Sequence, residues 1–289
     1  MSGDAIAIRQ LDRVEEFQRA EEIQREIWNM PGEIDVVPLH LLVTAQKNGG
    51  LVLGAFHGAH MIGLLFGFLG RGRDGSSKHC SHMMGVLPAY RGRGIGEHLK
   101  RWQREFVGAQ GIDLITWTYD PLETANATLN LHKLGATCRT YLRNVYGDLR
   151  DALNRGLPTD RFEVEWRAVQ GASRRRAWAE GLAPGRIPHD LPPGLRLATD
   201  VSFNAAGLPE LEGWKQEEAP VALVEVPASF QHVKTVDMSL AQCWRFGTRA
   251  MFETYFAAGY AAVDVVNVGA GSKRRCFYIL EHQEEADAS

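Results

Sequence analysis

The sequence predicts a mixed α/β fold, on three observations. Apolar and β-branched runs that read as strands alternate with stretches whose apolar residues recur every three to four positions. Two apolar runs flank His57-Gly58-Ala59-His60 and read as a hairpin. A strand over residues 78–86 enters a glycine-rich loop and then an amphipathic helix. At about 150 residues per domain, the 289 residues suggest two domains or one enlarged one. The apolar fraction of 45% and charged fraction of 23% exclude a disordered or fibrous chain. A net charge of −3 argues against a generally basic nucleic-acid binder. Cys80, Cys138, Cys243 and Cys276 show no CxxC spacing, so neither a zinc clasp nor a redox dithiol is expected. The N-terminal residues carry no basic segment followed by an apolar run. The longest apolar stretch, residues 61–69, is too short to span a bilayer. The expectation is a soluble, cytoplasmic protein with no membrane partner.

The elements follow in order. Residues 5–9 read as a strand, and Val14, Phe17, Ala20, Ile23 and Ile27 mark a helix broken by residues 30–35. Pro38 opens a second helix, which Asn48-Gly49-Gly50 stops. The hairpin of residues 51–70 and a polar loop at 71–78 lead to the strand 78–86. Ile95, Leu99, Trp102 and Phe106 then form one helical stripe. Residues 113–119 read as a buried strand closed by Asp120-Pro121. A helix over residues 125–134 ends at Gly135, with strands near 137–146 and 161–169. Residues 171–198, with Arg174, Arg175, Arg176 and four prolines, read as a linker. A strand at 221–227, a helix at 238–259 and strands at 261–268 and 275–281 complete the chain. The acidic end, 284–289, reads as a frayed tail.

The stretch Arg91-Gly92-Arg93-Gly94-Ile95-Gly96 carries the chemistry. A glycine-rich loop entering a helix aims unpaired backbone N–H groups and the positive end of the helix dipole at one spot. A pyrophosphate suits that arrangement, and Arg91 and Arg93 add charge. A Rossmann loop needs G-x-G-x-x-G, but the glycines stand at 92, 94 and 96 with Glu97 following. A Walker loop needs G-K-[ST], which is absent.

The stretch resembles the acetyl-CoA-binding motif [RQ]-x-x-G-x-[GA] of the GCN5-related N-acyltransferase (GNAT) superfamily. Arg91, Gly94 and Gly96 fill its defined positions, and Val86 and Pro88 match the strand end before it. The element order over about residues 5–170 is similar to that family's. The resemblance implies a mostly antiparallel central sheet, splayed where the strand of Val86 parts from that of Trp117. It implies acetyl-CoA or another acyl-CoA as co-substrate. The pantetheine would pair with backbone at Met84, Gly85 and Val86. The pyrophosphate would sit on Arg91, Gly92, Arg93, Gly94, Ile95 and Gly96. Asn126 matches a pantetheine-contacting Asn with imperfect register, and a helix cap is the alternative. Where the family often has a general-acid Tyr, four residues before the helix-ending glycine, this chain has Leu131. Tyr119, Tyr141 and Tyr146 are candidate substitutes.

Attack by an amine needs its neutral form. A lysine-like amine with pKa about 10.4 pays roughly 4.6 kcal/mol for this at pH 7, an α-amine only about 1 kcal/mol. By strand alternation Cys80, His82, Met84 and Val86 share one face, and His82 is the candidate base there. A plain half-buried strand histidine is the alternative. Asp120 is the second candidate, against a turn role. His57 and His60 flank a turn, and alternation puts His79 and His82 on opposite faces, so no metal site is expected.

The resemblance divides the chain into a GNAT domain at 1–170, a linker at 171–198 and a degenerate half-GNAT-like β-α-β-β domain at 199–289. On the helix 238–258, Leu240, Ala241, Trp244, Met251, Phe252 and Tyr255 form the apolar stripe. Gln242, Arg245 and Arg249 are placed opposite. Arg245 and Arg249 are candidate grips for a substrate carboxylate, against an Arg249–Glu253 surface pair. The expected function is N-acyl transfer, acetyl or succinyl, to a small amine such as an amino acid. A CoA-binding module without turnover and a protein-lysine acetyltransferase are the alternatives. No nucleic acid is expected as partner, and homodimerisation is left open.

Overall fold

The structure is a computed structural model that describes residues 5–29, 36–147, 155–168, 195–269, 271 and 274–283. The break at 30–35, the arginine run 174–176, the four prolines and the acidic tail lie outside the described residues. The chain forms two compact units, Met1–Trp117 with Glu165–Gln170, and Thr118–Val164 with Gly171–Ser289.

The first unit contains β1 (Ile6–Gln10), α1 (Val14–Trp28), α2 (Leu39–Lys47), β2 (Leu51–His57), β3 (His60–Arg71), β4 (Ser77–Val86), α3 (Ile95–Ala109) and most of β5 (Leu114–Tyr119). β1, β2, β3 and β4 are successive antiparallel neighbours, and β5 joins β4 in parallel. This is the mixed, mostly antiparallel sheet that the resemblance implies. Helices cover both faces. Ile23, Ile27 and Leu42 pack with Leu64 and Phe66 on one. Ile95 and Leu99 pack with Ile62 and Leu65 on the other.

In α1 the expected stripe is displaced at its start. Val14 is exposed and Glu16 is buried. The Glu16 carboxylate accepts hydrogen bonds from Arg9 (2.5 and 3.1 Å) and Arg13 (2.7 and 3.2 Å). These bonds, Arg9's foremost, hold its pKa well below the usual carboxylate range against the opposing effect of burial.

The second unit contains α4 (Thr124–Ala127), which widens into a π-type turn over Thr128–Lys133, then β6 (Thr137–Leu142) and most of β7 (Arg161–Arg167). Beyond the segment outside the description come β8 (Leu195–Leu197), β9 (Thr199–Phe203), β10 (Pro209–Trp214), β11 (Val221–Val226), α5 (Phe230–Val236), α6 (Met238–Ala257), β12 (Tyr260–Val268) and β13 (Arg275–His282). The strand, long helix and strand pair expected after residue 220 are β11, α6, β12 and β13. The β9–β10 hairpin and α5 are additions to the expected series, and β8 falls within the stretch read as linker.

Strand order here is β7-β6-β12-β13-β11-β8, with β9 and β10 paired separately. β8 runs parallel to β11, β11 antiparallel to β13, and β13 antiparallel to β12. Phe162 anchors an aromatic core, 4.7 Å from Phe252 and 5.6 Å from Tyr278 between ring centroids.

α6 is capped by Asp237, whose carboxylate accepts from the Leu240 N–H at 2.9 Å. That bond satisfies one of the orphaned donors of the first turn. Asp237→Ala is expected to lower the urea midpoint at unchanged m-value.

Candidate functional site

The site of the first unit follows from where strand pairing stops. β5 pairs with β4 at Lys78↔Leu114, His79↔Ile115 and Cys80↔Thr116. β4 continues to Val86, still paired to β3 out to Gly63. Residues 81–86 therefore have β3 on one side and, among the described residues, no β5 partner on the other. This is the splay expected between the strands of Val86 and Trp117, with Met84, Gly85 and Val86 along its β4 arm.

The chain leaves that arm through a tight turn at Pro88–Tyr90 and reaches α3 through the glycine loop. Gly92 (φ +77°) and Gly94 (φ +78°) are left-handed, a backbone region that costs an L-side chain about 1–2 kcal/mol. A Cβ on either would meet no atom within 4 Å, so the demand for glycine is conformational and the space above the loop is open. Gly94 stands at the N-cap of α3 and offers no side chain to the first-turn N–H groups. Glu97, in that turn, is paired with Arg101 at 2.8 Å.

The two loop arginines differ in role. Arg91 donates to the carbonyls of Val86 and Ile27, both at 3.0 Å. It therefore ties the loop to the end of β4 and to α1. Arg93 lies over the Tyr90 ring, 5.1 Å from its centroid, and donates to the Ala89 carbonyl at 3.2 Å.

Strict alternation fails along β4. Leu65 pairs with Met84 and Phe66 with Met83, but Gly67 pairs with Ser81. His82 is thus the extra residue of a β-bulge, which reverses side-chain facing beyond it. Met84 and Val86 pack with Ile95 and Leu99, whereas Met83 packs with the α1 and α2 core. Cys80, His82, Met84 and Val86 therefore do not share a face, and that expectation is corrected. The His82 ring is exposed yet lies against Phe66 and Phe68, with centroids 5.7 and 6.0 Å away. That apolar packing lowers its pKa from the ordinary 6.5.

Sequence reasoning missed a polar cluster at the point where the strands part. The buried face of α3 carries Ile95, Leu99, Lys100, Gln103 and Val107, while Trp102 and Phe106 are only partly buried. Lys100 is 2% exposed. Its Nζ donates to Ser81 Oγ at 2.8 Å and Gln103 Oε1 at 3.2 Å. It also lies 3.4 Å from the centroid of Trp117. Burial alone pushes its pKa well below the ordinary value. His79 is buried beside it with its pKa lowered to about 4 by burial and by Lys100. The helical period already places Gln103 in line with Leu99 and Lys100 beside it.

The remaining candidates belong to the second unit. Arg245, expected on the polar face of α6, is 2% exposed and lies on the buried face with Ala241, Trp244, Thr248 and Phe252. Both its terminal nitrogens donate to the two oxygens of Asp120, Nη1 at 2.9 Å, and Arg161 adds a contact at 3.6 Å. Arg249 donates to both oxygens of Asp160 at 2.8 and 2.9 Å, not to Glu253, which Arg143 holds. Burial raises the Asp160 pKa, but hydrogen bonds from Arg249, Asn144 and Tyr141 prevail and lower it overall. Asp120 and both arginines are thus engaged with one another or with Asp160. Tyr119 donates to Tyr278 Oη at 3.2 Å, Tyr278 in turn donating to the Pro121 carbonyl. Burial drives the Tyr119 pKa far up. Asn126 is exposed on α4, and Leu131 is buried.

Comparison with known proteins covers part of the chain. Residues 11–136 match the model of the acetyltransferase (GNAT) family, so the resemblance read from the glycine loop holds for this part of the chain. Among solved structures, YncA of Salmonella typhimurium, a putative acetyltransferase solved with acetyl-CoA, is 20% identical at a TM-score of 0.47. It covers 58% of this chain and 96% of its own. The ribosomal-protein-S18-alanine N-acetyltransferase of Escherichia coli is 15% identical at a TM-score of 0.45, covering 60% of this chain and 99% of its own. The N-acetyltransferase of Staphylococcus aureus Mu50 is 18% identical at 0.45, covering 57% and 99%. The search of curated proteins found no match. Among the described residues no group of three or more His, Cys, Asp or Glu side chains is placed to hold a metal, and no helix is long and apolar enough to cross a membrane.

Removing one partner of a buried ion pair strands the other charge. Asp120→Ala is expected to destabilise the chain by about 3–5 kcal/mol. The double change Asp120→Leu with Arg245→Met is expected to recover most of that loss, both read by urea unfolding.

Proposed function

We propose that the chain is a CoA-dependent N-acyltransferase that moves an acetyl group from acetyl-CoA to the amine of a small molecule such as an amino acid. One observation carries this reading: a β4/β5 fork whose β4 arm runs directly into the R-x-x-G-x-G loop at the N-terminus of α3. In this reading the pyrophosphate rests on the N–H groups of the loop and first turn. The pantetheine runs back along residues 81–86 as a strand would, and backbone N–H polarises the thioester carbonyl. The neutral amine attacks that carbon directly, the C–S bond breaks and CoA leaves as the thiolate. A thiol of pKa about 8.5 leaves tolerably without a general acid, consistent with Leu131 at the usual Tyr position.

For the proton we favour His82 over Asp120. His82 is exposed at the bulge, on the arm where the reacting carbonyl would lie, and its lowered pKa keeps it unprotonated at neutral pH. Asp120 has both oxygens bonded by Arg245. We retain residues 1–170 as the acyltransferase domain and 199–289 as a half-domain. The order β11, β13, β12 repeats β5, β7, β6, which supports the half-domain reading. The second reading, a CoA-binding module without turnover, draws on the apolar Leu131.

A thiol-release assay with acetyl-CoA across an amine panel tests the function. Turnover supports the enzyme, CoA binding with no release for any amine supports the module, and absence of CoA binding removes both. Gly94→Val forces a branched side chain into the left-handed region and is expected to weaken CoA binding at least about tenfold, measured by calorimetry. The acid limb of the kcat/KM profile is expected to have its midpoint below pH 6.5, since protonating His82 removes the base. His82→Gln should abolish that limb and lower kcat/KM by about 10²-fold.

A further inference from the structure

We propose that Lys100 closes the acyl end of the β4/β5 fork and restricts the donor to a two-carbon acyl thioester. The inference rests on the reading of the fork as the CoA site and goes beyond it by naming the residue that limits the acyl length. Its basis is position. Cys80 and Thr116 are the last paired residues, so Ser81 on β4 and Trp117 on β5 are the first residues of the two diverging arms. Lys100 Nζ touches both, at 2.8 Å from Ser81 Oγ and 3.4 Å from the Trp117 ring centroid. The side chain is the wedge at the apex of the fork.

The direction of the donor follows from its chemistry. Its pyrophosphate end belongs at the loop after Val86, so its acyl end is the part nearest the apex. Residues 81–86 give a strand run of roughly 17 Å between the two, suited to an extended pantetheine arm. An acetyl group ends where the wedge begins, and each further methylene must displace it.

The wedge is held on every side. Gln103 Oε1 accepts from Nζ at 3.2 Å, so the nitrogen has two oxygen partners and an aromatic face. Trp117 is braced edge-to-face by Trp166, with centroids 6.1 Å apart. Trp166 in turn carries the Arg104 guanidinium over its ring at 5.4 Å. Behind Lys100 lie His79 and Gln103, each fully buried, and a side chain at Gly67 would collide with His79. The apex is thus backed by fully buried side chains. Among the described residues no carboxylate pairs with Lys100, so the alternative occupant of the apex is an acyl chain ending in a carboxylate, and the test includes it.

Binding of CoA thioesters to the full chain, measured by calorimetry, decides without knowledge of the amine. CoA and acetyl-CoA are expected to bind with similar Kd, and butyryl-CoA and succinyl-CoA at least tenfold more weakly. Lys100→Ala should bring butyryl-CoA to within about threefold of acetyl-CoA, whereas Lys100→Met, which keeps the bulk, should preserve the wild-type preference. If butyryl-CoA binds the wild type as tightly as acetyl-CoA, or if Lys100→Ala folds and does not admit it, the wedge is overturned. Tighter binding of succinyl-CoA than of acetyl-CoA makes Lys100 a carboxylate receptor and likewise overturns it. These results leave the CoA site standing, whereas failure of CoA itself to bind overturns the site and the wedge together. Should Lys100→Ala not fold, the wild-type chain-length series and Lys100→Met still separate a wedge from an open apex.

Discussion

The candidate chemistry depends on the parting of β4 and β5 after three paired residues. Backbone N–H and C=O groups are costly to leave without partners. A strand paired on one side only therefore offers a ladder to whatever extended amide lies beside it. Pantetheine, with its two amides, is such a molecule. The glycine loop begins where that ladder ends, and Arg91 fixes the junction through two carbonyls from different elements. Ladder and anion cradle are thus set in one frame by the path of a single chain segment.

Buried charge is handled in two ways. In the second unit, buried carboxylates and guanidiniums meet in two-pronged pairs, Asp120 with Arg245 and Asp160 with Arg249. Such pairs offset the cost of leaving water only when the geometry is good, and they absorb groups that otherwise look like substrate grips. In the first unit, Lys100 is buried with only neutral partners. Burial of that kind lowers the pKa of an amine, and Lys100 is shifted in that direction.

Much of the fold is legible in the sequence because its signals are local. The hairpin over residues 51–70, the strand–loop–helix at 78–109 and the β11, α6, β12, β13 series each announce themselves by period and by glycine. The loop is legible for the same reason, since left-handed positions at 92 and 94 demand glycine whatever surrounds them. What stays hidden depends on partners distant in sequence. The bulge at His82 is a property of the β3 ladder, and β4 alone carries no trace of it. Arg245 reads as polar surface until Asp120, 125 residues earlier, is placed beside it. Lys100 escapes notice because a lysine within a helical stripe counts as solvated by composition, although the period puts it beside Leu99 and Gln103.

The bulge at His82 also governs how the gene for this strand can change. Residues on its two sides point by separate countings, so each can be exchanged for another of similar size without disturbing the other. Loss of a single codon between Ser81 and Met83 would be another matter. The ladder to β3 would run straight, and the imidazole would vanish with the extra residue. The Met83–Val86 segment would keep its facing toward the two cores. The strand should therefore accept many replacements and even close up over a one-residue deletion as a fold, while losing the histidine that the added residue supplies. Shape and chemistry in this strand are separable by one amino acid.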